Sequence, residues 1–153
     1  MMNALFNSIL ENKLRVLILL SIYDMPQTLD MLYAVDFITV YGRTFGISDM
    51  DLNGDNEYKF SEFASRRHSV QEALRELVLT ENVQAVNYKG SLSYVITPEG
   101  EDYCESLTSE YAKEYQANAR AAVESVKGKS ERSIISMINK QSAMSLREAV
   151  NNE

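Results

Sequence analysis

The chain has 153 residues, the size of one compact domain. Such a chain can hide roughly 70% of its extended surface on folding, so it needs no disulfide framework. Apolar residues make up 45% and charged residues 24%, an ordinary balance for a folded protein. Lys+Arg total 15 against 22 for Asp+Glu, a formal charge of -7. That is the wrong sign for general attraction to phosphate, so any DNA contact must use a local basic patch or be shared with a more basic partner.

One cysteine, Cys104, excludes an intramolecular disulfide and a Cys-cluster zinc site. One histidine, His68, excludes zinc sites on paired histidines and leaves a Ser-His-Asp hydrolase a single candidate base. The apolar run Val16–Leu20 is far shorter than the roughly 20 residues of a membrane span. Glu11, Lys13 and Arg15 precede it, and no small-x-small cleavage site follows. A reduced, cytoplasmic chain without membrane contact is expected.

In chain order, a first helix is expected from Ala4 to Tyr23, apolar nearly all round between Leu14 and Ile22 and therefore buried on several sides. Pro26 stops it, and Thr28 is a suitable N-cap for a second helix. There Leu29, Leu32, Tyr33, Phe37, Val40 and Tyr41 recur at three- and four-residue steps, with Asp30 and Asp36 off the stripe. A polar loop follows from Ser48 to about Lys59. The third helix runs from Ser61 or Glu62 to about Thr80, with Val70, Ala73, Leu74, Leu77 and Val78 as its apolar face.

Val86 and Tyr88, then Leu92, Tyr94 and Ile96, alternate on either side of Lys89-Gly90-Ser91, which predicts a β-hairpin turning at Gly90. Thr97-Pro98-Glu99-Gly100 opens a further helix, with Thr97 as cap and Pro98 at the first helical position. Tyr103, Cys104 and Leu107 should point inward from it. A helix over about 109–126 carries Tyr111, Tyr115, Ala119, Ala122 and Val126 on one face. After Gly128 the chain restarts at Ser130 with Ile134, Ile135 and Ile138.

Three helices, a hairpin and a capping helix, in that order, make a mainly α protein with a small β-hairpin: a winged helix-turn-helix with additional C-terminal helices. The boundaries expected are 1–108 for the winged-helix domain with its N-terminal helices and 109–153 for the C-terminal helical extension. Tyr94 to Gly100 resembles the strand-to-helix junction after the wing in many bacterial winged-helix proteins. Fold does not fix function. Arg66, Arg67 and Arg75 on the third helix and Lys89 on the wing are the nucleic-acid-binding candidates, opposed by Glu72 and Glu76.

Asp51, Asn53, Asp55 and Glu62 fit positions 1, 3, 5 and 12 of an EF-hand loop, but position 6 is Asn56 rather than glycine and no second loop pairs with it. A helix connection rich in Asx turns accounts for the segment better, and no metal or cofactor is expected. His68 has no neighbouring acid in sequence, Cys104 suits a core position, and neither a phosphate loop nor a nucleophile elbow is present. A non-enzymatic protein is expected.

Asp24-Met-Pro-Gln-Thr-Leu-Asp, then Asn53 to Arg67, then Val70 to Leu79 and the wing, resemble the small middle component of bacterial ABC three-component systems, most nearly that of Lamassu-type antiphage and antiplasmid defence. The resemblance runs from about Asn12 to Ser125 and rests on pattern and element order. It implies a non-catalytic adaptor that binds an SMC-like ATPase and helps hold a nuclease effector inactive until foreign DNA is sensed. It carries Arg66 and Arg67 over as family features without saying whether they meet DNA, the ATPase or an internal carboxylate. Two other functions compete: a free-standing winged-helix transcriptional regulator and a calcium-binding EF-hand-like module. The apolar side chains of the last helix, Ile134, Ile135 and Ile138, are the candidate partner interface, as spaced anchors in a groove.

Overall fold

The computed structural model describes residues 8–52 and 59–151, and its first element, α1 (Ile9–Ile22), starts behind a Ser8 cap whose hydroxyl accepts from the Glu11 amide at 3.2 Å. The start expected at Ala4 lies outside the described residues. Val16 to Leu20 are all buried, as a helix apolar on every side requires. Thr28 caps α2 (Leu29–Val40), accepting from the Met31 amide at 3.2 Å. Every residue from Leu32 to Val40 is buried, so α1 and α2 form the centre of the protein. Thr28 also donates to the Glu131 carboxylate, which ties the start of α2 to the last helix.

The third helix, α3 (Lys59–Leu79), begins two residues earlier than the pattern indicates. Its buried stripe, Phe63, Arg66, Val70, Ala73, Leu74 and Leu77, packs on α1 and α2. Strands β1 (Val83–Tyr88) and β2 (Ser91–Ile96) pair antiparallel from Val83–Ile96 to Tyr88–Ser91. Only Lys89 and Gly90 form the turn, both with positive φ (+52° and +82°), which sets the twist that a two-residue hairpin needs. Ser91 therefore belongs to β2. The hairpin packs on α1 and α3, but the expected alternation in β2 is not realised: Leu92 is exposed, Ser93 is buried, and Tyr94 to Ile96 are half-buried. Gln27, between α1 and α2, adds one rung to β2, its amide donating to the Tyr94 carbonyl at 3.0 Å and the Tyr94 amide returning a bond at 2.8 Å.

Helix α4 (Pro98–Glu105) starts as expected: the Thr97 hydroxyl accepts from the Gly100 amide at 3.1 Å, and Pro98 takes the first position. Gly100 is required by packing, because a Cβ there would collide with the Asn82 carbonyl oxygen. The inward stripe is Gly100, Cys104 and Leu107. Tyr103 lies off it and is 47% exposed, contrary to expectation, because an eight-residue helix has room for one narrow stripe. Helix α5 (Glu110–Ser125), capped by Ser109, buries Ala112, Tyr115, Asn118, Ala119 and Ala122 against α1 and α2. Helix α6 (Glu131–Asn151) packs on α2. Among the described residues the architecture is thus six helices and one two-stranded sheet. One apolar core runs from Val16 in α1 to Ile138 in α6 and continues across residue 108. No helix among the described residues is long and apolar enough to cross a membrane.

Candidate functional site

The most concentrated chemistry in the molecule lies inside it. Asp36, in the middle of α2, is 1% exposed, and three helices each bring a polar side chain to it. From α3, Arg66 Nε donates to Asp36 Oδ2 at 3.1 Å and its Nη2 reaches the same oxygen. From α1, Arg15 Nε lies 3.2 Å from Asp36 Oδ1. From α5, the Tyr115 hydroxyl donates to Oδ1 at 2.7 Å. Arg15 extends the network, donating to the Tyr111 hydroxyl at 3.4 Å and to the Asn12 side-chain carbonyl.

Burial pushes the Asp36 carboxyl up, but the guanidiniums of Arg66 and Arg15 and the hydrogen bonds of Arg66 and Tyr115 outweigh it and hold the group below its ordinary value. Tyr115 is driven well above the usual phenol range by burial and by the adjoining Asp36 charge. For Arg15 burial opposes the charge, but the attraction of Asp36 prevails and its pKa is raised. The cluster therefore stays ionised, with two guanidiniums on one carboxylate. Glu11, one turn before Arg15, is raised by burial against the pull of that arginine. Charges this deep each cost several kcal/mol in desolvation and persist only when paired and hydrogen-bonded, so the cluster fixes how α1, α2, α3 and α5 meet (roughly 3–5 kcal/mol when one partner is removed).

The nucleic-acid candidates divide accordingly. Arg66 is 4% exposed and committed to Asp36, so a phosphate could reach it only by displacing that carboxylate. Of the three partners left open for Arg66, the structure shows an internal carboxylate, Asp36 on α2. Arg67, the next residue, points outward and pairs with Asp30 at 2.9 Å. Arg75 is exposed two turns further along α3, and Lys89 sits at the hairpin turn with its ammonium 5.3 Å from the Tyr88 ring centroid. His68 is exposed.

The calcium-loop residues are only partly within view, since Asn53 and Asp55 lie outside the described residues. Asp51 accepts from the Thr44 amide at 3.0 Å and the Thr44 hydroxyl at 2.9 Å. Glu62 accepts from the Tyr41 hydroxyl at 3.1 Å. Among the described residues no group of three or more His, Cys, Asp or Glu side chains is placed to hold a metal ion. The partner-interface candidates need correction in their placement: Ile134 and Ile138 are fully buried, and Ile135 is half-buried against the same core. Their side chains hold α6 to its own protein, because the third- and fourth-residue spacing that suits a docking helix also suits one packed on α2.

Sequence reasoning did not single out Asp36, Arg15 or Tyr115 as a set. The signal was present in Asp36 itself, an acid inside a helix that is otherwise apolar on all sides, where an unpaired carboxylate is prohibitively costly.

Helices surrounding a sealed ion cluster, with a hairpin on one side, define a small helical subunit whose most perturbed titratable groups serve architecture. The chain matches the family model for ABC-three component (ABC-3C) system Middle Component 2 over residues 5–148, and it belongs to that family. It is therefore one subunit of a multi-component system, which has partner proteins, and membership points to a defence-system subunit. No curated protein and no solved structure matches it significantly.

Proposed function

We propose that the chain is the non-catalytic adaptor of a Lamassu-type defence complex in the cytoplasm. It binds an SMC-like ATPase and helps hold a nuclease effector inactive until foreign DNA is sensed. Membership of the middle-component family over residues 5–148 carries the proposal. The internal chemistry agrees with it: Asp36, Arg15, Arg66 and Tyr115 are engaged with one another, which suits a rigid scaffold.

A winged-helix arrangement of the N-terminal part belongs to the same proposal. The rung between Gln27 and Tyr94 supports it, since it places a short extended segment between α1 and α2 beside the hairpin that follows α3. DNA contact through the complex would fall to Arg67, Arg75 and Lys89, which face outward. With a formal charge of -7 the chain depends on a more basic partner for that contact.

Co-expression with the neighbouring components of its own system is the test. An adaptor co-purifies with the ATPase and shows little sequence preference for DNA. A chain that forms a homodimer alone and prefers one DNA sequence about 10³-fold over bulk DNA would instead be a transcriptional regulator.

A further inference from the structure

A cleft of about 440 Å³ opens between the α1–α2 turn and the α5–α6 turn. Ile22, Met31 and Val123, each partly buried against the core, give it an apolar floor. Arg120, Lys127 and Lys129 stand exposed on its rim, and none of the three is ion-paired among the described residues. Asp24 and Glu124 share the rim, so cations outnumber carboxylates there on a chain that is acidic overall. Met25 stands 48% exposed at the mouth. Tyr23 forms part of the wall, and its buried hydroxyl has no hydrogen-bond partner among the described residues.

We propose that this cleft receives a short segment of the ATPase component in which an apolar anchor side chain is flanked by carboxylates. The apolar floor takes the anchor, and the rim cations take the carboxylates. A nucleic acid fits worse, because a phosphate backbone has no use for the apolar floor and Asp24 and Glu124 would repel it. The proposal rests on the adaptor function, and it adds the place and chemistry of one contact.

The experiment uses the full chain and the purified ATPase component of its own system, with affinity measured at low and high salt. Lys127→Glu with Lys129→Glu, and separately Met25→Arg, change exposed side chains. Lys113→Glu with Lys140→Glu, also exposed, makes the same change of net charge elsewhere. We expect each cleft variant to weaken binding by about tenfold or more, and the distant pair by less than about twofold, because opposed charges across an interface act locally.

Cleft variants that bind as tightly as the unaltered chain, or no more weakly than the distant pair, would overturn the cleft assignment and leave the adaptor function standing. Loss of DNA binding with the protein complex intact would overturn it in favour of a phosphate-binding rim. An unaltered chain that binds no ATPase would bring down the adaptor function and the cleft together.

Discussion

Arg66 and Arg67 are adjacent in the chain and opposite in role. One is enclosed with Asp36 between α2 and α3; the other makes an exposed pair with Asp30. The difference comes from helix geometry, since consecutive residues lie about 100° apart around the axis, and here that step carries Arg66 into the core and Arg67 out to solvent. Its energetic consequence is large. Attraction between charges is weak in water and strong in an apolar interior, where the cost of desolvation is also concentrated. Two adjacent arginines in a sequence can therefore play opposite roles, and the packing decides which.

Substitutions around the pair can sharpen or break this contrast. The largest effect is expected from Asp36→Asn, which removes the carboxylate charge shared by two buried guanidiniums and should cost about 3–5 kcal/mol in urea unfolding. The same group sets an acid response. Because the folded-state pKa of Asp36 is depressed, its contribution is fully present above the unfolded carboxylate value of about 3.9 and is lost as pH falls through the lower folded value. The stability gap between the native chain and Asp36→Asn should accordingly close below about pH 4; a gap that stayed constant to pH 2 would mean the carboxylate is not charged in the fold.

Arg66→Ala should cost about 3 kcal/mol, at the lower end because Arg15 still neutralises Asp36. Tyr115→Phe removes one donor from Asp36 Oδ1 and should cost about 1–2 kcal/mol, measured in the same way. Arg67→Ala should change stability by no more than about 0.5–1 kcal/mol, since its pair with Asp30 is solvent-screened. If Arg67→Ala proved as damaging as Arg66→Ala, the inside-outside contrast would be wrong.

What could be read beforehand follows the same logic. Helix positions, the Thr28 and Thr97 caps and the hairpin depend on local chemistry, and the structure places them within a few residues of expectation. The site did not follow so readily. Arg66 and Asp36 are 30 positions apart and Tyr115 and Asp36 are 79, so their meeting depends on how helices cross, which periodicity alone does not specify. Tyr103 and Leu92 failed for a related reason. Alternation and helical spacing identify faces, but whether a face is covered depends on the reach of neighbouring elements. Ile134 and Ile138 show the converse, an apolar stripe assigned to a partner that the chain covers itself.

The last helix is held near one end only. Ile134 and Ile138 are its buried side chains, whereas from Asn139 onward none of the described side chains is buried, and Leu146 and Val150 stand exposed. From Ile138 to Asn151 the helix projects about 20 Å, so a tilt of about 10° at the anchor would carry its far end through about 3 Å. A 21-residue helix clamped in this way is a lever: a small repacking against α2, or a change at the Thr28–Glu131 bond, is magnified where the helix leaves the body of the protein.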